Sequence, residues 1–120
     1  MLLKDSFYTI TKTTVEDNQL EVKLNINANH EIFEGHFPGN PITPGVVQLE
    51  ILKELLSIYA GKTVQMQVVS NCKYLTIMNP ENCGEITVKV GIQNNEGALK
   101  INAVFQNAET VFTKVSGIYC

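Results

Sequence analysis

The first third of the chain alternates between apolar and polar residues at nearly every second position. A period of two is typical of β-strands that bury one face and expose the other. Two such stretches are separated by the polar tripeptide Glu16–Asp17–Asn18, and they read SFYTITKTTV and QLEVKLNINA. We therefore predict that the chain begins with an antiparallel hairpin closed by a polar turn.

The pattern changes to a helical one after a glycine- and proline-rich loop at residues 35–45. The three prolines of this loop restrict the residues before them, so a helix cannot run through it. From Val46 to about Ala60, apolar residues recur at intervals of three and four, and Gly61 is suited to end a helix. They are Val46, Leu49, Leu52, Leu55, Leu56 and Tyr59. We predict one long helix in this segment.

The remainder of the chain returns to strand-like patterns. Three or four strands are expected, separated by short turns that are rich in asparagine and glycine. The segments read TVQMQVVSNCKYLT, EITVKVGIQ, ALKINAVFQ and TVFTKVSGIY. Strands, one helix and then consecutive strands predict an α+β fold with a largely antiparallel sheet, one face of which the helix covers. At 120 residues, the chain has room for one core, so we expect a single domain, 1–120.

The charge of the chain argues against nucleic acid as a partner. The formal net charge is −3, and all nine basic residues are lysines. Without arginine, the protein has no planar fork for bidentate recognition of phosphate or guanine. We therefore expect no nucleic-acid binding.

The lengths of the apolar segments and the pattern of the cysteines indicate the cellular compartment of the protein. No window holds the ~18 consecutive apolar residues that a membrane span needs, and the apolar start of the chain is too short for a signal peptide. We therefore expect a cytoplasmic protein without a membrane segment. The three cysteines lack metal-ligand spacing, so we interpret them as reduced thiols: Cys72, Cys83 and Cys120.

Candidate chemistry lies between Gly35 and Glu50, in the stretch GHFPGNPITPGVVQLE. Its prolines and glycines hold His36 in few orientations. Gly45 falls where the helix begins, so a ligand can approach the backbone N–H groups of the first turn, which suit an oxyanion or a polarised carbonyl. We interpret this stretch as a candidate site.

Glu50 lies about one turn into the helix and shares a stripe with three other polar residues. The stripe comprises Glu50, Lys53, Glu54 and Ser57. Periodicity alone predicts that this face is solvated. The functional interpretation is that the face is solvated only in an isolated monomer, and that Glu50 meets a histidine in a cleft.

This stretch closely resembles the signature of the 3-hydroxyacyl-[acyl-carrier-protein] dehydratases of the FabZ/FabA type. Weaker similarity extends to both sides of it, through NHEIFEGH and CKYLTIMNPENCGEITVKV. The resemblance implies a hotdog fold, in which an antiparallel sheet wraps around one long central helix. It also implies a homodimer with its active sites at the subunit interface, able to assemble further. Its partner would be an acyl carrier protein that presents the acyl chain on phosphopantetheine.

The resemblance also implies a role for each residue of the candidate site. His36 would remove the α-proton of a 3-hydroxyacyl thioester, and Glu50 would act on the β-hydroxyl as an acid or through a water. The N–H of Gly45 would hold the thioester carbonyl, and Phe37 and Val46 would contact the substrate. The reaction yields a 2-enoyl thioester and requires no metal and no redox cofactor.

The chain departs from the family pattern in two places. After the carboxylate it reads Ile51–Glu54 where small residues are usual, which could shorten or redirect the acyl tunnel. The strand that usually carries Lys-Phe-Arg has Lys73–Leu75, and the missing arginine affects how a carrier would dock. These differences favour a specialised pathway, such as polyene or pigment synthesis, over housekeeping fatty-acid synthesis.

Two other functions are compatible with the sequence. One is a hotdog acyl thioesterase, which does not need His36 in its Pro-Gly loop. The other is a non-catalytic subunit that binds an acyl carrier, for which neither His36 nor Glu50 would be needed. We interpret His30 as structural, and Phe33 as part of the core or of a tunnel wall.

Overall fold

The computed structural model describes residues 3–35, 42–81, 84–108 and 110–120. Six strands form a single sheet in the order β1-β2-β4-β5-β6-β3, and every neighbouring pair is antiparallel. The strands are β1 Tyr8–Glu16, β2 Gln19–Ile26, β3 Met66–Tyr74, β4 Ile86–Asn95, β5 Ala98–Asn107 and β6 Thr110–Tyr119. The predicted N-terminal hairpin and the predicted antiparallel α+β fold are confirmed.

The predicted long helix is α2, which runs from Gly45 to Ala60 and so begins one residue earlier than the apolar spacing indicated. Gly61 ends it in the left-handed conformation, at a φ of 72° that glycine adopts without steric cost. A single-turn helix, α1 Ile32–Gly35, precedes it and was not predicted. Within the described residues, no helix is long and apolar enough to cross a membrane.

The core lies between α2 and one face of the sheet. Alternate residues of β4 and β5 point inward, and α2 presents its apolar stripe to the same cluster. The buried members from these three elements are Ile51, Leu52, Leu55, Leu56, Ile86, Val88, Val90, Ile92, Leu99, Ile101, Ala103 and Phe105. Each fully buried aliphatic side chain stabilises the fold by about 1.5–3 kcal/mol relative to exposure. The helix is therefore held mainly by this stripe.

Strand β3 forms one edge of the sheet and pairs only with β6. Its register shifts twice, between Met66 and Val68 and between Val69 and Asn71. Between these irregularities β3 approaches Gly117 of β6 so closely that a Cβ there would lie 2.3 Å from the carbonyl oxygen of Val68. Glycine at position 117 therefore permits the edge strand to join the sheet.

This close approach predicts different outcomes for two glycines of the sheet, Gly117 in β6 and Gly91 in β4. Gly117→Ala should lower the free energy of unfolding by at least about 1–3 kcal/mol, because the methyl group meets backbone that cannot rotate away. Gly91→Ala should stay within about 0.5 kcal/mol of the wild type, because its Cβ would lie 3.4 Å from the flexible side chain of Gln19. Urea unfolding followed by circular dichroism measures both values. Equal stability of the two variants would contradict the close approach.

Candidate active site

The first turn of α2 has backbone N–H groups that no described residue accepts from. Pro44 occupies the N-cap position and makes no side-chain capping bond. Its carbonyl accepts from the N–H groups of Val47 and Gln48, both at 3.1 Å. The N–H groups of Gly45 and Val46 have no acceptor among the described residues. They carry partial positive charge and are available to a ligand.

The ring of Tyr74 lies against Gly45. A Cβ on residue 45 would stand 2.5 Å from Tyr74 Cζ and 2.6 Å from its hydroxyl oxygen. The absence of a side chain therefore accommodates this ring at the start of the helix, a contact that the sequence did not reveal. Residues 42–45 and 74–78 line a groove of about 270 Å³ at this point. Tyr74 is half exposed and Val46 is 75% exposed.

Glu50 projects into a cleft of about 590 Å³ beside α2. Its side chain is 39% exposed, and its Oε1 lies 3.6 Å from Lys53 Nζ. Lys4, Lys62 and Glu54 line the same cleft. Glu50 is thus accessible in the single chain and lies in a cleft, and its meeting with a histidine there stays a prediction.

Glu54 does not belong to a solvated face, and the prediction from periodicity is wrong at this position. Its side chain is buried, and its carboxylate accepts hydrogen bonds from the N–H groups of Leu3 (2.7 Å) and Lys4 (3.0 Å). The Tyr8 hydroxyl donates a third bond of 2.9 Å. Burial, and then the bond to Glu54, raises the pKa of Tyr8 well above its ordinary value. The carboxylate therefore fastens the N-terminal segment to the helix.

The segment that precedes β1 explains why Glu54 is buried. Leu3 and Phe7 are both buried in the core cluster, so this segment packs into the structure, where the N–H of Leu3 donates to Glu54 on α2. The spacing of apolar residues along α2 predicts only which face of the helix packs against the sheet. In the sequence, only the two apolar residues just before the first strand, Leu3 and Phe7, indicated that this segment would be buried.

The structure brings together only part of the predicted site. His36 and Phe37 lie outside the described residues, so their distances to Gly45 and Glu50 are not defined. His30 accepts a 3.1 Å hydrogen bond from the N–H of Ile32 through Nδ1, and its ring meets Phe7 edge-on. These contacts agree with a structural role for His30.

Phe33 is buried in the core, with its ring centroid 5.3 Å from that of Phe7. It is therefore a core residue, one of the two roles expected for it. Cys72 and Cys120 are free thiols, and Cys83 lies outside the described residues. Within the described part of the chain, no group of three histidine, cysteine or acidic side chains could hold a metal ion.

Sequence analysis missed a buried polar bridge near the helix start. Gln48 is 3% exposed; its Nε2 donates to the carbonyl of Thr43 at 3.2 Å, and its Oε1 accepts from the hydroxyl of Thr113. Thr43 and Thr113 are themselves buried. The signal was present, because Gln48 lies four residues before Leu52 and hence on the apolar stripe of α2.

Solved structures share this architecture. The chain superposes on a protein titled the dehydratase heterocomplex ApeI:P from Xenorhabdus doucetiae with a TM-score of 0.68 and 16% identity, over 93% of this chain and 96% of the other. A conserved protein of Pseudomonas aeruginosa gives a TM-score of 0.66 at 12% identity, over 95% and 87% of the two chains. At these identities the likeness concerns the fold alone. The protein has a hotdog fold.

Sequence comparison then gives the family. The family model described as "ApeI-like: ApeI dehydratase" matches residues 12–115, and the chain belongs to this family. A 3-hydroxyacyl-[acyl-carrier-protein] dehydratase FabZ of Lactobacillus helveticus is 34% identical over 87 residues, which cover 66% of this chain and 59% of the relative. The FabZ of Lactiplantibacillus plantarum is 33% identical over 91 residues, or 69% and 62% of the two chains. The chain thus spans about three fifths of the length of these relatives.

The two neighbouring carboxylates of α2 should respond differently to the same substitution. Glu54→Gln should lower the free energy of unfolding by about 2 kcal/mol or more, because the amide N–H₂ replaces one acceptor oxygen and leaves the backbone N–H that it faces without an acceptor. Glu50→Gln should change it by less than about 0.5 kcal/mol, because this side chain is partly solvated. Urea unfolding at pH 7 provides both values. A stable Glu54→Gln protein would show that the N-terminal segment is not fastened by this carboxylate.

The pKa values of the tyrosine side chains predict how the stability of the protein changes at high pH. Burial, aided by Cys72, raises the pKa of both Tyr74 and Tyr119 to about 12. Because the folded chain holds these protons more tightly than the unfolded chain, the stability they contribute is present below pH ~10 and declines as the pH rises towards 12. Absorbance at 295 nm should show phenolate forming later in the folded protein than in urea, with a smaller late phase in Tyr119→Phe. Phenolate formation near pH 10 in both conditions, with the fold intact by circular dichroism, would contradict this assignment.

Proposed function

We propose that the protein dehydrates a 3-hydroxyacyl thioester, carried on an acyl carrier protein, to the 2-enoyl thioester. The observation that supports this most directly is the arrangement on α2. The helix begins with two N–H groups that have no acceptor among the described residues, and Glu50 follows Gly45 by five residues, or about 7.5 Å along the axis. Membership of a dehydratase family supports the same reaction.

Each proposed role meets a chemical requirement of the reaction. His36 takes the proton from C2 of the substrate, and the charge that develops on the thioester oxygen is stabilised by the N–H of Gly45. Glu50 gives a proton to the C3 hydroxyl, which leaves as water while the double bond forms between C2 and C3. Phe37 and Val46 contact the acyl chain. The atoms balance without a metal or a redox cofactor.

The charge of the Glu50 cleft supports an anionic carrier as the source of the substrate. Three lysines, Lys4, Lys53 and Lys62, line it beside two glutamates, Glu50 and the buried Glu54, and this excess of positive charge would attract an acidic protein and a phosphodiester arm. Lys53 is one of the departures from the family pattern. The neighbouring departures, Ile51 and Leu52, are buried in the core, so they would alter an acyl tunnel from the inside of the fold.

We further propose that two copies of the chain form the working unit, with His36 of one copy facing Glu50 of the other. The edge of β3 supports such pairing, because most of its side chains are exposed although several are apolar. Val68, Val69 and Tyr74 lie on this strand, and Leu75 and Ile77 follow it, all at least 43% exposed. An edge strand with exposed apolar side chains readily takes up another strand. The Xenorhabdus neighbour is titled a heterocomplex, so pairing with a different chain is the competing outcome.

Hydration of crotonyl coenzyme A tests the chemistry in reverse. Wild-type protein should remove the absorbance of the conjugated enoyl thioester, and His36→Ala and Glu50→Gln should each slow this by at least about 10²-fold, the usual contribution of a general acid or base. Glu81→Gln, which changes an exposed carboxylate with no role in the proposed reaction, serves as the control and should keep wild-type activity. Release of free thiol instead would indicate a thioesterase. No reaction with coenzyme A or carrier-bound substrates would indicate a binding subunit.

Mixing the two inactive variants tests the shared site. After subunit exchange at equal concentrations, the mixture should regain about a quarter of the wild-type rate, because half of the dimers are mixed and each holds one complete site. Native mass spectrometry verifies that exchange has occurred. Verified exchange without recovery of activity would exclude a site built from His36 of one copy and Glu50 of the other.

A further inference from the structure

The corner that leads into α2 is held in place from three directions. The N–H of Thr43 donates to the carbonyl of Met78 at 2.9 Å, which ties the corner to the connection after β3. The ring of Tyr74 lies against Gly45. From the helix itself, the side chain of Gln48 reaches back to the carbonyl of Thr43 at 3.2 Å. The corner immediately precedes the N–H groups of Gly45 and Val46.

Gln48 connects this corner to the middle of the sheet. Its Oε1 accepts a hydrogen bond from Thr113, a fully buried residue of β6, while its Nε2 holds Thr43. Both ends of the amide are therefore used, and the side chain cannot rotate without breaking one of these bonds. The bridge spans the helix, the corner and the sheet with a single rigid group.

An amide at this position contributes little to core packing. Gln48 lies on the apolar stripe of α2, where leucine or methionine would fill the same space without the cost of burying polar atoms. The net stabilisation from two such neutral hydrogen bonds is small, because folding exchanges bonds to water for bonds within the protein. The amide instead restricts the geometry of the corner. Hydrogen bonds are directional and specify one arrangement of it, whereas apolar contacts tolerate several.

We propose that Gln48 is a positioning residue that fixes the orientation of the Gly45 and Val46 N–H groups. This inference rests on the proposed function, in which the N–H of Gly45 binds the thioester oxygen. Loss of the bridge would leave the substrate pocket in place but allow the corner to move by a fraction of an ångström to an ångström. Displacement of that size impairs stabilisation of the transition state more than binding of the substrate.

The test compares substitutions at both ends of the bridge. Gln48→Met keeps the volume and removes both hydrogen bonds, Thr113→Val removes the hydroxyl donor, and Thr113→Ser retains it. Crotonyl coenzyme A hydration should show kcat reduced by about 10- to 100-fold in Gln48→Met, with KM changed less than about threefold. Thr113→Val should follow the same pattern to a smaller extent, and Thr113→Ser should approach the wild type.

Ile101→Val in β5 controls for loss of stability alone. This core substitution removes one buried methylene group, so it should lower the stability modestly while leaving kcat unchanged. Amide hydrogen exchange gives a readout that is independent of activity. In Gln48→Met, the amides of Val47 and residue 48, which bond to Pro44, should exchange faster, whereas amides of the later turns of α2 should not.

The two measurements separate failure of this inference from failure of the proposed function. If the wild type hydrates no enoyl thioester, the proposed function fails, and faster exchange confined to the first turn of Gln48→Met still supports the positioning role. If Gln48→Met matches Ile101→Val in kcat and in exchange at the first turn, the positioning role is excluded. It is also excluded if Thr113→Ser is as impaired as Thr113→Val.

Discussion

The packing of one helix against one face of a six-stranded sheet is the constraint on which the rest of the structure depends. A sheet of this size has an apolar face that water would otherwise reach, and within the described residues α2 is the only helix longer than one turn. Its stripe of Ile51, Leu52, Leu55 and Leu56 closes the core. Because α2 packs against the sheet through this apolar stripe, its first turn and its outer side can make other contacts.

Those two parts of α2 are used differently. At the start, two N–H groups that follow Pro44 have no acceptor among the described residues, which costs stability locally. The Gln48 bridge and the contact with the Tyr74 ring compensate by holding the corner in place. On the outer side, Glu54 accepts hydrogen bonds from the N-terminal segment, whereas Glu50, one turn earlier, lies in an open cleft. Two glutamates four residues apart thus occupy contrasting environments, one fully hydrogen-bonded and buried, the other partly solvated beside lysine.

Local patterns were sufficient to predict most of the fold. The alternation of residues predicted the hairpin and three or four later strands, of which the structure has four, and the apolar spacing with Gly61 placed α2 to within one residue. These signals depend on neighbours a few positions apart. The burial of Glu54 could not be predicted in this way, since its partner Leu3 is 51 residues away in the chain. The contact of Gly45 with Tyr74 is equally non-local. Gln48 is a different case, because a polar residue within an apolar stripe could have been recognised.

The strand order has a consequence for how the chain reaches this structure. Strand β3 precedes β4, β5 and β6 in the sequence, yet its only partner is β6, which begins 36 residues after β3 ends. Such pairings raise the contact order, and long loops close slowly. A nascent chain on the ribosome therefore carries β3 with both backbone edges unpaired until β6 has emerged. Pairing with β6 satisfies one of these edges, whereas the other edge and the exposed valines Val68 and Val69 remain open to association in the folded chain.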